Sequence, residues 1–218
     1  MQKTKNFDSV TIGYIAHDYD VHKNFLGHSI GNLYTSIEVI AQSDKNKPAK
    51  NYNEILSKSS NDIVILTHQD VSFSSDLVER IDNTISEVGD FAALGMVGVD
   101  DNRNYHWSTE SRVHELCTAD CCFLVVNKTH GIMFDEETFD DYHLYVEDYC
   151  AQAKSVTGHK VYTMLVNSQE APPQVRLENN DSYLNHHSVT LNKRGPAWGR
   201  YWEYREKLEA KWPGIQTT

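Results

Sequence analysis

The sequence lacks any apolar run near the ~20 residues that span a bilayer, and its opening Met1-Gln-Lys-Thr-Lys5 has no apolar signal region. A soluble, cytoplasmic protein is the expectation. Basic residues are scarce: 20 Lys and Arg stand against 31 Asp and Glu, a formal net charge of −11. That balance argues against a broad polyanion-binding face, which needs clustered Lys and Arg, so nucleic acid is a poor fit as partner. A single nucleotide remains compatible, because a metal ion and one or two basic residues can neutralise its phosphates. Cysteine is sparse too. Cys117, Cys121, Cys122 and Cys150 form no C-x-x-C pair, so reduced thiols are expected rather than a disulfide framework or zinc knuckle. A zinc-bearing interaction module on His114, Cys117, Cys121 and Cys122 is carried as an alternative. Against it, Cys121 and Cys122 open the apolar run to Val126, where small thiols pack well. There is no internal repeat and no low-complexity tract.

What is present is an alternation of strand-like and helix-like segments, the pattern of one layered α/β domain. At 218 residues the chain is long enough to bury a substantial core. Strands are expected over Val10–Ala16, Ile37–Ala41, Ile63–Leu66, Phe91–Val99, Ala119–Val126 and Lys160–Val166. Helices are expected over Phe25–Tyr34, Ala49–Ser59, a stretch capped by Ser74 or Ser75 and stopped by Gly89, and Val146–Thr157 ended by Gly158. His17–Asn24 reads as a polar loop, and Asp100–Leu116 as a long loop without periodicity, the kind that usually carries function. Residues 1–166 form the expected core. Residues 167–218 form an extended tail with Pro172-Pro173 and a closing helix over Trp198–Trp212, packed on the same domain.

One segment carries the most chemistry. Ile63–Leu66 is a continuous aliphatic run suited to a strand buried on both faces. It ends in Thr67-His68-Gln69-Asp70, at the strand's C-terminal end, where open α/β sheets bind their ligands. His68 and Asp70 lie two apart and leave extended chain on the same face. An imidazole and a carboxylate so placed could hold a divalent cation against a diphosphate.

The order of several segments resembles the GT-A glycosyltransferases, specifically family-2-like nucleotide-sugar transferases of bacteria. The likeness rests on Lys50-Asn-Tyr-Asn53 before a helix, then Asp62 to Val71 with its His-Gln-Asp-Val, which matches one subgroup. It continues with Thr118-Ala-Asp120 before an apolar strand and Tyr145-Val-Glu-Asp148 before a helix and Gly158. It covers roughly residues 10–190.

The resemblance implies a GT-A single domain, a mixed but mostly parallel sheet flanked by helices with a C-terminal extension. It implies transfer from a nucleoside-diphosphate sugar, a UDP-sugar foremost, to a glycan precursor or another small hydroxyl acceptor. Asp70 is then the metal ligand, with His68 on the metal, a phosphate or a nearby water. A late histidine completes the set, His187 ahead of His186. Mixed oxygen and imidazole donors suit Mn²⁺ or Mg²⁺ and tilt towards Mn²⁺. Asp148 is implied as the general base of an inverting reaction, with Glu147 orienting the acceptor, although fold likeness alone leaves inverting against retaining open. Ala16 and His17 are expected to line the base, Ser43 or Asp44 to bond the base or ribose, Asn53 to brace that pocket, and Asp120 to touch the donor sugar. Lys193 and Arg194 would close over the diphosphate. Tyr105, Trp107 and Tyr145 are candidate acceptor platforms. A nucleotide-sugar-binding protein without transfer is the other alternative. With no spanning segment, peripheral membrane contact stays open, as does the oligomeric state.

Overall fold

The computed structural model describes residues 8–33, 36–44, 47–170, 183–187 and 197–218. In chain order the first half comprises β1 (Val10–Ile15), α1 (Tyr19–Asn24), α2 (Leu26–Gly31), β2 (Ile37–Gln42), α3 (Pro48–Lys58), β3 (Ile63–Thr67), β4 (Val71–Phe73) and α4 (Leu77–Val88). There follow β5 (Ala93–Gly95), β6 (Val97–Val99), β7 (Tyr105–Trp107), β8 (Glu115–Leu116), β9 (Thr118–Ala119) and β10 (Phe123–Asn127). The last elements are α5 (Tyr145–Gln152), β11 (Val161–Thr163), β12 (Ser168–Glu170), β13 (Leu184–His186) and α6 (Ala197–Lys211).

Seven strands form the central sheet in the order β2-β1-β3-β10-β5-β11-β8. Strand β1 pairs in parallel with both β2 and β3, and β11 pairs in parallel with β5. Strand β10 runs antiparallel to both its neighbours, and β8 reverses at the edge. The other five strands therefore share one direction. The mostly parallel, helix-flanked sheet is the expected fold class.

Side-chain alternation divides the core between the two faces. Val64 and Leu66 of β3, with Leu124 and Val126 of β10, meet Tyr52, Ile55, Tyr145, Tyr149, Tyr204 and Leu208 from α3, α5 and α6. Ile63, Ile65, Phe123 and Val125 face the other way, onto Leu26 of α2 and Leu77, Ile81 and Ile85 of α4. Each fully buried aliphatic or aromatic side chain contributes about 1.5–3 kcal/mol, so this two-sided burial accounts for the apolar run Ile63–Leu66 of β3. Its ends are then the only places for polar chemistry.

Several boundaries differ from expectation. Tyr19–Asn24 is helical rather than loop, because the Asp18 carboxylate accepts the Val21 N–H at 3.0 Å and caps it. The helix after Ser74 starts at Leu77 without a side-chain cap; Ser74 instead bonds the Asp76 carboxylate. The stretch Phe91–Val99 is two strands, β5 in the central sheet and β6 in a three-stranded sheet with β7 and β9. Ala119–Val126 also splits, because the Asp120 carboxylate accepts the Cys122 N–H at 2.9 Å and turns the chain. Tyr105–Trp107 and Glu115–Leu116 give strand structure to the segment read as a loop. Helix α5 ends in a π turn over Ala153–Thr157 before Gly158.

The β6–β9 pairing leaves no space for a side chain at Gly98. A Cβ there would lie 2.3 Å from the Thr118 carbonyl oxygen and 2.7 Å from Leu116 Cδ1. The backbone atom cannot swing aside. Gly98→Ala is expected to destabilise by about 1–3 kcal/mol, seen in thermal denaturation as a fall of roughly 2–4 °C per kcal/mol.

Candidate functional site

The parallel register of β1–β3 aligns three strand ends. Ile15 lies beside Gln42, and Tyr14 beside Thr67, so Ala16-His17, Ser43-Asp44 and His68–Asp70 leave the sheet at one edge. The Ala16 N–H donates to the Gln42 carbonyl at 2.7 Å, fixing the first two ends together. Gln69, which sequence reasoning passed over, ties the first to the third. Its Oε1 accepts the His17 and Asp18 N–H groups at 3.0 and 3.1 Å, and its Nε2 lies 3.0 Å from His17 Nε2. With that amide donating, the His17 ring proton sits on Nδ1. Ser43 and Asp44 are exposed on the same rim.

His68, Asp70 and His186 bring one potential ligand atom each to within 4.8 Å of one another. His186 arrives from far along the chain: β13 pairs antiparallel with β4, setting His186 opposite Val71. Its Nε2 lies 3.5 Å from Asp70 Oδ1. The His68 and His186 rings meet edge to face at 5.8 Å. Buried His68 Nε2 has no hydrogen-bond partner, which is costly for a nitrogen that nothing coordinates. Burial lowers the His68 pKa against the raising effect of Asp70, favouring a neutral ring with a free lone pair. Burial would raise the Asp70 pKa, but the hydrogen bond from His186 and the two nearby rings outweigh it and hold the carboxyl below its ordinary value. A neutral imidazole, a carboxylate and a second imidazole fit a divalent cation.

His187 is not in this cluster. Neighbouring strand residues point to opposite faces; the His187 ring is fully buried, stacks on Phe25 at 4.2 Å and bonds Ser72 Oγ through Nε2 at 2.6 Å. The preference for His187 over His186 is thus reversed by strand parity.

The adjacent carboxylates of α5 sit in different surroundings. Asp148 is fully buried and saturated. Its Oδ1 accepts from Trp212 Nε1 at 2.7 Å and pairs with Lys211 at 2.8 Å, while Oδ2 accepts from Gln152 at 2.7 Å. Those bonds pin α6 to α5 and engage both oxygens. Glu147 is different. Its Oε1 accepts from the Thr218 hydroxyl at 3.1 Å, but Oε2 is buried without a partner. Burial, reinforced by the negative charge of Asp120, pushes its pKa up to about 8. The negative charge of Asp120 reaches both His68 and Glu147.

Other expected residues divide. Asn53 is buried and spent on the chain before α5: its Oδ1 accepts the Phe134 N–H at 2.8 Å, and its Nδ2 donates to the Phe134 carbonyl at 2.9 Å and Glu136 Oε1 at 2.7 Å. It braces that segment and has no group left for a nucleotide. Tyr145 is fully buried against Tyr52 and Phe134, in the core and not on an acceptor surface. Tyr105 and Trp107 are exposed on β7. Lys193, Arg194 and Pro172-Pro173 lie outside the described residues. Among those described, no potential metal cluster includes a cysteine, and His114 stacks on His106 at 4.1 Å with Arg112 at its nitrogens. The zinc module is therefore not formed. No described helix is long and apolar enough to cross a membrane.

No protein-family model matches the chain, and no curated protein does. Solved structures do. Staphylococcus aureus TarS (residues 1–349) with UDP-GlcNAc is 13% identical with a TM-score of 0.55, over 94% of this chain and 66% of that one. A second structure of TarS 1–349 gives 11%, 0.51, 81% and 60%. GalNAc-T7 with UDP, GalNAc and Mn²⁺ gives 6%, 0.52, 74% and 43%. This chain thus spans 60% and 43% of the TarS 1–349 and GalNAc-T7 chains. The likeness establishes the GT-A glycosyltransferase fold.

Replacing Asn53 separates a brace from a ligand. Asn53→Ala strands the buried Phe134 N–H and is expected to cost about 1–3 kcal/mol of stability in chemical denaturation, with nucleotide affinity unchanged in the folded fraction.

Proposed function

We propose that the protein is a metal-dependent glycosyltransferase of the His-Gln-Asp-Val type that moves a sugar from a nucleoside-diphosphate sugar, foremost a UDP-sugar, to a hydroxyl of a glycan or other small acceptor. The observation that carries this reading is the convergence of His68, Asp70 and His186 at the C-terminal edge of the parallel strands, with the unpartnered Glu147 Oε2 buried near Asp120. A divalent ion bound there, Mn²⁺ or Mg²⁺, would neutralise the departing diphosphate.

The chain's own residues supply the rest. The rim of Ala16, His17, Ser43 and Asp44 receives the nucleoside, and Gln69 keeps the His17 loop against the metal edge. Asp120 faces the sugar. Glu147 Oε2 takes the acceptor proton as the acceptor oxygen attacks the anomeric carbon and the sugar–phosphate bond breaks, the outcome being inversion. Asp148 positions α5 and does not touch substrate. Lys193 and Arg194, on the far side of β13 in sequence, are suited to cover the diphosphate. Tyr105 and Trp107 offer aromatic faces to an acceptor.

The first experiment is calorimetric titration with UDP, GDP and CDP, with and without Mn²⁺. One nucleotide is expected to bind in a Mn²⁺-dependent way, and Asp70→Ala to abolish that dependence; absence of binding by all three overturns the proposal. Glu147→Gln is expected to lower kcat by about 10²–10⁴-fold while the nucleotide Kd stays put. A protein that binds but never transfers has no activity for that substitution to remove.

The pH dependence follows from the Glu147 pKa of about 8. A base must be deprotonated, so kcat/KM should rise between pH 6 and about 8.5, and Glu147→Gln should flatten the rise. Stability should move oppositely. A carboxyl with a raised folded pKa favours the native state most below its unfolded value, and that contribution fades as pH rises towards 8. Urea denaturation between pH 5 and 8 should show the loss, and Glu147→Gln should remove it.

A further inference from the structure

A second histidine–carboxylate cluster lies at the opposite edge of the sheet. Asp90, His130 and His159 bring potential ligand atoms to within 4.8 Å of one another. Asp90 Oδ1 is 2.9 Å from His130 Nε2, and Asp90 Oδ2 is 2.9 Å from His159 Nδ1. The two imidazoles stack at 3.5 Å. Topology keeps the cluster apart from the first site. Asp90 precedes β5, His130 follows β10, and His159 precedes β11. Because Asn127 pairs with Ile63 and Phe123 with Thr67, these loops gather where β3 begins, roughly 13 Å from where it ends by strand rise.

Three features favour a cation there. First, the ligands come from three turns, and each adjoins a glycine of positive φ: Gly89 at 73°, Gly131 at 68° and Gly158 at 75°. A Cβ on any of these glycines would meet nothing within 4 Å, so the requirement is for tight turns that converge and not for space. Second, acceptors crowd a single ring nitrogen. His130 Nε2 lies 3.0 Å from the Phe91 carbonyl oxygen besides the Asp90 carboxylate, while the Asn127 amide, whose Oδ1 already accepts from Thr129, presents Nδ2 to it at 3.2 Å. A donating amide requires a lone pair on Nε2, and that lone pair then faces two oxygens. A cation seated on that lone pair, with the Asn127 amide turned away, would relieve the repulsion, as would a ring proton donated to the two oxygens. Third, the imidazole edges are mostly shielded while Asp90 is open to solvent, giving an entry route.

We propose that Asp90, His130 and His159 form a second divalent-cation site, selective for a transition metal of the Zn²⁺ type. Two nitrogen donors and one carboxylate match tetrahedral zinc with a water in fourth place, and fit Mg²⁺ poorly. Closing to metal–ligand distances of about 2.0–2.2 Å requires the two stacked rings to turn apart so that both nitrogens aim at one point. The ion clamps the α4–β5, β10–α5 and α5–β11 connections together.

The test uses the full chain carrying Asp70→Ala and His186→Ala, which silences the first cluster. Zn²⁺ is titrated in competition with a chromophoric chelator, and Co²⁺ binding is followed by its visible absorption. One equivalent of Zn²⁺ should bind and raise Tm. Adding His159→Gln or Asp90→Asn, both at solvent-accessible positions, should weaken binding by at least about tenfold and remove the Tm shift, with circular dichroism unchanged. In an otherwise unaltered chain, His159→Gln should leave Mn²⁺-dependent nucleotide binding intact, which separates this site from the first. Failure to bind Zn²⁺, or binding that survives both substitutions unchanged, overturns the proposal.

Discussion

The first cluster depends on a short piece of strand pairing. Three residues, Leu184–His186, lie antiparallel to Val71–Phe73 and parallel to Ser168–Glu170, and the pairing with Val71–Phe73 sets His186 beside Asp70. The His187 N–H extends it, donating to the Asp70 carbonyl at 2.9 Å. The backbone of the carboxylate-bearing residue thus holds the segment whose side chain faces the carboxylate. Slippage of this pairing by one residue would exchange His186 and His187 between the faces. Burial of the His187 ring, with its bond to Ser72, opposes such a slip and sets which imidazole stands at the metal edge.

The adjacent pair Glu147-Asp148 shows how strongly surroundings separate like groups. Both are buried in the first turn of α5. Asp148 receives an indole N–H, an ammonium and an amide, and becomes part of the scaffold. Glu147 receives one hydroxyl and the repulsion of Asp120. Protonation is therefore easy for Glu147, whereas both oxygens of Asp148 are engaged by donors.

Much of the fold was legible in the sequence because its signal is local. The aliphatic run Ile63–Leu66, the helix stripe Leu77–Ile85 and the stops at Gly89 and Gly158 depend on neighbours in the chain. The resemblance resting on His68-Gln69-Asp70 anticipated the edge at which the acidic and imidazole groups gather. The misses needed long-range information. The interruption at Met96 between β5 and β6 is set by which sheet accepts each half of the strand. The role of Asn53 comes from Phe134, and that of Asp148 from Lys211 and Trp212. Neighbouring residues cannot reveal which of two adjacent carboxylates a distant helix will neutralise. Gln69 was overlooked for a related reason: its amide acts on the backbone of His17 and Asp18, a partner no spacing rule exposes.

The indole of Trp212 gives the α5 environment an optical voice. Its N–H ends on a fully buried carboxylate one residue from Glu147, so the ring senses the charge and hydration of that helix directly. With Trp107, Trp198 and Trp202 replaced, the emission of Trp212 becomes a built-in spectroscopic gauge of whether α6 remains seated on α5, readable without a label.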